Sequence, residues 1–287
     1  MELRHKAQRD GRLSSFLKQE LGLSTGLMNK LKWNERLFVN GTPRHADYPV
    51  QAGDVITALL DEEKPLYPAE EGAISVLYED EHILCVDKPA GMLIHPSRSV
   101  NSGTLANYVE YYFEKTGQYC AFHPITRLDR DTFGVVLLAK NAHIHALCSD
   151  LHNKGLLCKT YEALVLGRPE PGEGTIDAPI ARRPLPSLLR EVSPTGKISQ
   201  TFYRLMEDYG QYSLLSLRPI TGRTHQLRVH CAYMGFPILG DPQYGNEESR
   251  ALSSEMGYTT QRLCACSIAF PHPITGAKLC IRSKQPL

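Results

Sequence analysis

The 287-residue sequence has little excess charge and no long apolar run. It contains 32 Lys and Arg against 31 Asp and Glu, so it lacks a uniformly basic coat, and any phosphate binding must come from local patches. No run of about 18 apolar residues is present, so we expect no membrane-spanning helix and no membrane partner. The first residues are polar and lack the apolar centre of a secretion signal. These absences predict a cytoplasmic protein.

Closely spaced metal or redox ligands are also scarce. The eight cysteines are scattered, and the closest pair, Cys264 and Cys266, has a single intervening residue, which fits neither a redox pair nor a zinc knuckle. We therefore predict reduced, mostly buried thiols. His225 and His230 are five residues apart and do not share the helical face that a metal pair requires. The sequence therefore predicts no metal site.

The pattern of periodicity divides the chain into three parts. Residues 12–60 show two helical patterns followed by short strands, which predicts a small N-terminal module over 1–60. Residues 61–73 combine two prolines with acids and no periodicity, which is typical of a linker. Residues 74–287 contain many more strand patterns than helical ones. We therefore predict an α+β domain with a mainly antiparallel sheet and flanking helices.

A carboxylate between two arginines is the most informative local pattern. Asp129 lies between Arg127 and Arg130, shortly before the apolar run 135–139, which predicts a strand. An arginine within about 4–6 Å keeps a carboxylate ionised, and an ionised carboxylate suits nucleophilic or acid–base chemistry. On this pattern alone an ordinary surface ion pair is the better interpretation, because exposed pairs are common and contribute little.

Two further segments carry candidate site residues. Lys159 and Tyr161 occupy alternate positions of a predicted strand and so point to one face. A tyrosine facing a cleft can stack on a base, although a half-buried strand tyrosine gives the same pattern. Later, Thr221 is predicted to cap a helix whose first turn carries Arg223 and His225, where a helix N-terminus attracts phosphate.

Together these segments resemble RluA-type RNA pseudouridine synthases over about residues 74–282. The resembling motifs are Asp87-Lys88-Pro89-Ala90-Gly91-Met92, His95-Pro96, Arg127-Leu128-Asp129 with Thr132 and Gly134, Lys159-Thr160-Tyr161, the run from Pro219 to His230, Gly240-Asp241, Tyr244-Gly245 and Phe270-Pro271-His272-Pro273. Their order and combination are highly specific. The resemblance implies conversion of a uridine in RNA to pseudouridine without a cofactor, through cleavage of the glycosidic bond, rotation of the base and bonding at carbon 5.

The resemblance also implies roles for individual residues. Asp129 is the expected catalytic carboxylate, which attacks the sugar or promotes elimination at the sugar, and Arg228 is its ion-pair partner. Tyr161 would stack on the uracil and act as a base in proton transfer. Arg127 would fill the space left by the extruded base or contact phosphate. Further expected contacts with RNA are Lys159, Arg223, His225 and, as the apolar wall of the uracil pocket, Ile268.

The N-terminal residues resemble the small alpha-L RNA-binding module named after ribosomal protein S-four. Residues 1–36 contain eight Lys or Arg against four acids, an excess that could bind phosphate or simply form a solvated helix face. Arg12 and Lys30 are the candidate RNA contacts. Because this module commonly accompanies enzymes that act on ribosomal RNA, we expect ribosomal rather than transfer RNA as substrate, and a monomeric enzyme.

Two alternatives stay open at this point. A non-catalytic RNA-binding or ribosome-assembly protein could keep the same fold, since Thr126, Phe133 and Cys264 stand where the family usually has His, Ser and His. A hydrolase with a carboxylate dyad would use Asp129 with Asp131. Two close like charges would raise one carboxyl pKa, so we predict a structural role for Asp131.

Overall fold

The N-terminal part of the computed structural model, which describes residues 2–61, 64–97 and 100–287, has a hydrophobic core of its own. Every buried residue of that core lies between Leu3 and Leu60. Its elements are β1 (Glu2–Lys6), β2 (Gly11–Arg12), α1 (Leu13–Gln19), α2 (Thr25–Trp33), β3 (Leu37–Val39), β4 (Thr42–Pro43), β5 (Pro49–Val50) and β6 (Val55–Leu59).

Four of these strands form an antiparallel sheet in the order β1-β6-β3-β4, and β2 pairs separately with β5. The two helices share the core of this sheet. Leu13, Phe16 and Leu17 of α1 follow helical spacing and are fully buried, so the apolar face of this helix closes the core. Asn40 and Gly41 both have positive φ, 50° and 76°, between β3 and β4. Such angles are those of a two-residue hairpin turn, and Asn-Gly adopts them readily.

The larger part of the chain builds a ten-stranded sheet with four helices described around it. Its elements are β7 (Val76–Glu79), β8 (Ile83–Lys88), α3 (Leu105–Lys115), β9 (His123–Pro124), β10 (Phe133–Ala139), α4 (Ala142–Asn153), β11 (Cys158–Leu166), β12 (Glu173–Asp177), β13 (Ile180–Arg182), β14 (Arg190–Val192), β15 (Gln200–Asp208), β16 (Tyr212–Pro219), α5 (Gln226–Tyr233), α6 (Glu247–Glu255), β17 (Leu263–Pro271) and β18 (Lys278–Arg282).

The strand order is β12-β15-β16-β11-β17-β10-β8-β7, with β18 added to β17 and β9 to β10, while β13 and β14 form a separate hairpin. The pairing of β10 with β17 is parallel, and the other pairings described in this sheet are antiparallel. This arrangement confirms the predicted α+β class with a mainly antiparallel sheet. The domain limits at residues 60 and 74 stay a prediction.

Strands β8 and β10 are buried on both faces. Ile83 and Cys85 of β8 face a cluster that includes Ile144 of α4, whereas Leu84 and Val86 face a cluster of α3 residues. Strand β10 alternates in the same way, which explains why residues 135–139 read as one continuous apolar run. The loop that precedes β10 therefore ends at a strand that is buried on both faces.

The other end of the sheet holds α5. Leu227 and Cys231 of this helix pack against Ala163 of β11 and against Leu215 and Leu217 of β16, as their four-residue spacing predicts. The helix begins at Gln226, later than predicted, with His225 in the left-handed region as its N-cap. Thr221 does not cap it, because its hydroxyl accepts from Gln200 N at 2.9 Å and lies 2.8 Å from Gln226 Oε1.

The parallel contact between β10 and β17 depends on Gly134. Its φ is +111°, and a Cβ at this position would lie 2.4 Å from the carbonyl oxygen of Ala265. Gly210 also has positive φ, at +85°, but no atom lies within 4 Å of a Cβ built there. The two glycines therefore separate the cost of the backbone angle from the cost of a clash.

We expect Gly134→Ala to lower the free energy of unfolding by about 1–3 kcal/mol more than Gly210→Ala, because the added methyl must push two strands apart. Gly210→Ala should cost only the left-handed penalty of about 1–2 kcal/mol. Urea denaturation of both variants measures the difference. Equal losses would show that β10 and β17 separate without cost.

Candidate active site

Asp129 lies in the loop between β9 and β10, and hydrogen bonds hold this loop at several points. The Thr126 hydroxyl accepts from Leu137 N at 2.9 Å, and Gln261 Nε2 donates to the Thr132 hydroxyl at 3.0 Å. Between them, Lys88 Nζ donates to the carbonyl oxygen of Arg130 at 2.8 Å. Both sides of Asp129 are therefore fixed to the sheet.

Lys88 is fully buried at the end of β8 and satisfies its three protons locally. Besides Arg130, Nζ donates to the carbonyl oxygens of Pro89 and Met92 at 2.8 and 2.9 Å. Burial lowers the pKa of Lys88 to about 8, against the opposing influence of Asp131 and Asp129. Lys88 therefore ties the loop at Arg130 to the segment that follows β8.

Arg228 of α5 links two carboxylates. Its Nε and Nη2 donate to Asp241 at 2.7 and 2.8 Å, its Nη2 also donates to Gln243 Oε1 at 2.8 Å, and its Nη1 lies 3.3 Å from Asp129 Oδ2. The side chains of Arg228 and Asp241 are 5% and 0% exposed, whereas that of Asp129 is 28% exposed. Burial disfavours the charged guanidinium, but Asp241 and Asp129 outweigh it and raise the pKa of Arg228. The pairing predicted between Asp129 and Arg228 is present in the structure.

Tyr161 projects from β11 towards the same space as Asp129. Tyr161 is 7% exposed. Burial raises the pKa of the Tyr161 phenol, and the negative charge of Asp129 raises it further. The phenol therefore keeps its proton at neutral pH, a state better suited to stacking than to accepting a proton.

Asp129, Tyr161 and Arg228 border one cavity of about 840 Å³. A cavity of this size is in the range that holds small ligands, and it is open to solvent on one side. Of the predicted site residues, the structure brings seven to its lining: Arg127, Asp129, Lys159, Tyr161, Arg223, His225 and Arg228.

Three predicted site residues lie elsewhere. Ile268 is 2% exposed in the apolar cluster that also contains Phe270 and Ile144, so it does not form a wall of the cavity; Leu128 and Leu263 line it instead. Arg12 and Lys30 belong to the N-terminal part and do not line the cavity. Lys30 Nζ lies 2.7 Å from Asp61 Oδ2, which neutralises part of its charge.

Three residues depart from the family pattern, Thr126, Phe133 and Cys264. The ion pair between Asp129 and Arg228 forms despite them. Thr126 supports the loop as described, and Phe133 packs 5.7 Å from the Arg262 guanidinium. Cys264 is buried in β17, and burial raises the pKa of its thiol to about 12. Asp131 pairs with Arg130, at 3.1 Å from Nε, so it has a partner other than Asp129.

The sequence assigned no role to Asp241 and Tyr244, two residues that lie beside Arg228. Asp241 follows α5 by a loop, and nothing in the spacing of thirteen residues from Arg228 shows that the two meet. Tyr244 lies against both Arg228, whose guanidinium carbon is 5.0 Å from the Tyr244 ring centre, and His225.

Within the described ranges, no cluster of three or more His, Cys, Asp or Glu side chains could hold a metal ion. No helix in those ranges is long and apolar enough to cross a bilayer.

Comparison with known proteins places this fold and cavity in a family. The model of the RNA pseudouridylate synthase family matches residues 82–233. Asp129 and Tyr161 and Arg228 all fall inside the matched segment. The chain belongs to this family and is an RNA pseudouridine synthase, an isomerase, as its motifs predicted. The match does not include residues 1–60, so the alpha-L resemblance stays a prediction.

Individual relatives agree. The chain is 35% identical over 270 residues to an uncharacterized RNA pseudouridine synthase of Bacillus subtilis (strain 168), covering 93% of each chain. It is 33% identical over 260 residues to ribosomal large subunit pseudouridine synthase D of Pseudomonas aeruginosa, covering 88% of this chain and 81% of that protein. The solved structure of human RNA pseudouridylate synthase domain containing 1 has a TM-score of 0.62 at 25% identity, covering 76% of this chain and 86% of that chain.

We expect Asp241→Ala to lower the free energy of unfolding by about 3–5 kcal/mol, because it leaves the buried guanidinium of Arg228 without its main partner. Glu173→Ala is the matched control. Glu173 pairs with Arg204 at 3.0 Å on the surface, and such pairs contribute at most about 1 kcal/mol. Chemical denaturation compares the two variants. A loss for Asp241→Ala no larger than that of the control would contradict the account of the buried ion pair.

Proposed function

We propose that the protein isomerises a specific uridine of large-subunit ribosomal RNA, with Asp129 as the carboxylate that acts at C1′ of the ribose. The observation that carries this proposal is the convergence of Asp129, Tyr161 and Arg228 on one open cavity. The choice of ribosomal RNA is supported by the name of the Pseudomonas aeruginosa relative. The enzyme is expected to be a monomer that acts in the cytoplasm.

The cavity supports a mechanism in which the nucleotide leaves the RNA stack. A base inside paired RNA cannot reach Asp129, so it must be extruded at a cost of a few kcal/mol. Tyr161 offers a buried ring face on which uracil can stack. Arg127, exposed at the cavity lining, is placed to occupy the vacated stack or to contact phosphate.

Asp129 is suited to act on the sugar because its position and charge are fixed in advance. The hydrogen bond from Lys88 to the loop and the ion pair with Arg228 hold the carboxylate of Asp129. Reaction at C1′ then requires little reorganisation. Attack on C1′ and elimination at the sugar both use this carboxylate. The raised pKa of Tyr161 favours its role as a stacking surface that keeps its proton.

RNA binding is proposed to come from basic groups around the opening. Arg223 Nε donates to the carbonyl oxygen of Ile198 at 3.1 Å, which leaves its terminal nitrogens for phosphate. Lys159 lines the cavity beneath, where burial lowers its pKa. In the N-terminal part, Arg12 and Lys30 are proposed as weaker contacts, since Lys30 is already paired with Asp61.

The reaction is tested with total RNA, labelled with tritium at carbon 5 of uridine, from a strain that lacks the gene. Wild-type protein should release tritium, and Asp129→Asn should release none above background, because the amide keeps the shape but not the charge. Asp131→Asn is the control and should retain activity. Mapping pseudouridine in the treated RNA identifies the position. Equal release by wild type and Asp129→Asn would overturn the assignment of Asp129, and a modified position outside large-subunit ribosomal RNA would overturn the substrate.

Binding should weaken with salt as phosphate contacts do. We expect Arg223→Gln to reduce the slope of log K against log salt by about 0.7–0.9, the contribution of one phosphate contact. Arg204→Gln changes a surface arginine outside the cavity lining and should leave the slope unchanged. Filter binding of a large-subunit ribosomal RNA transcript over a series of salt concentrations measures both. Equal slopes for wild type and Arg223→Gln would remove Arg223 from the interface.

A further inference from the structure

The conformation of His225 is defined by its backbone angles and by its side-chain contacts with Tyr244. Its backbone is left-handed, with φ 57° and ψ 19°, at the N-cap of α5, and its side chain is 19% exposed. The ring meets the Tyr244 ring edge-on at 5.6 Å between centres, and Nδ1 lies 2.8 Å from the Tyr244 hydroxyl. The orientation of the imidazole is therefore fixed before any substrate binds.

The hydrogen bonds of Tyr244 favour one position for the proton of the neutral His225 ring. Its hydroxyl accepts from Arg190 N at 2.9 Å, and Nδ1 of His225 is its other polar contact within the described ranges. A phenol has one proton to donate. Burial raises the pKa of Tyr244, which keeps the proton on the phenol. Because Arg190 N already donates to this oxygen, the phenol proton can be directed at Nδ1. In the neutral ring the proton then sits on Nε2.

The charges around the ring favour this neutral form. Burial lowers the pKa of His225, Asp129 and Asp241 oppose the shift, and the nearby guanidinium groups of Arg228 and Arg190 add to it. The ring thus presents a single N–H, at Nε2, to the cavity. That nitrogen is 4.0 Å from Asp129 Oδ2, a distance too long for a direct hydrogen bond.

The space between Nε2 and Oδ2 fits the requirements of one chemical group. An oxygen within about 3 Å of both atoms would accept from Nε2–H and donate to the carboxylate, and a hydroxyl does both. Inside an RNA chain the 3′ and 5′ oxygens are esterified, so the 2′-hydroxyl is the sugar group that can donate. It is attached to the carbon next to C1′, where Asp129 is proposed to act.

We propose that His225 donates a hydrogen bond from Nε2 to the 2′-hydroxyl of the target uridine, which in turn donates to Asp129. The inference rests on the proposed position of C1′ beside Asp129. The contact orients the sugar against the carboxylate. It also selects ribose over deoxyribose, because a deoxynucleotide leaves the Nε2–H of His225 without an acceptor.

The test is a double-mutant cycle between protein and RNA. Synthetic RNA spanning the mapped uridine is prepared with that nucleotide as ribose or 2′-deoxyribose, and kcat/KM is measured under single-turnover conditions. For wild type the deoxy substitution should cost at least about tenfold more than it does for His225→Phe, which lacks both nitrogens. His225→Gln, whose amide nitrogen approximates the Nε2 position, should restore part of the deoxy penalty. His152→Phe removes another imidazole from the cavity lining and should keep the full wild-type penalty.

The same deoxy penalty in wild type and His225→Phe would overturn the proposal. Failure of the proposed reaction is a different result, since it would show as absence of tritium release by wild type with the ribose substrate. The tautomer is tested without RNA by nitrogen-15 NMR of histidine-labelled protein. His225 should be the neutral Nε2–H form, and Tyr244→Phe should increase the Nδ1–H form. A predominant Nδ1–H form in wild type would also contradict the proposal.

Discussion

The active site depends on one buried guanidinium. Arg228 is nearly inaccessible to water, and a charge in such a place requires a partner. Asp241 supplies it through two hydrogen bonds, which fixes the plane of the guanidinium. One nitrogen, Nη1, is left to face Asp129, so the orientation of the Asp129 carboxylate follows from the buried ion pair between Arg228 and Asp241.

The sheet brings the three side chains together from distant parts of the chain. Asp129 precedes β10, Tyr161 lies on β11, and Arg228 is on the helix that follows β16. Strand β17 separates β10 from β11, and Gly134 allows the close parallel approach of β10 to β17. The cavity between these elements is lined by the ends of the strands and by the loops that follow or precede them.

Most strands and helices could be predicted because their patterns are local. The apolar run 135–139 falls within β10, and α3 and α4 begin after Thr104 and Asn141, whose side chains cap them. The start of α5 was predicted wrongly because the Thr221 hydroxyl accepts from Gln200 N of the neighbouring strand and donates to the Gln226 side chain, so it caps no backbone N–H of the helix. Ile268 was misplaced because strand periodicity shows that two faces exist but not which one borders the cavity. Asp241 was recognised as part of a motif but was given no partner, since its pairing with Arg228 exists only in the folded chain.

The central claim is that an extruded uridine lies with its sugar at Asp129 and its base on Tyr161. A crystal structure of Asp129→Asn bound to RNA that contains the mapped uridine tests this directly. The account predicts uracil stacked on the Tyr161 ring, C1′ beside the substituted side chain, and Arg228 still paired with Asp241. A uridine that stays stacked within the RNA, or that lies outside this cavity, would contradict it.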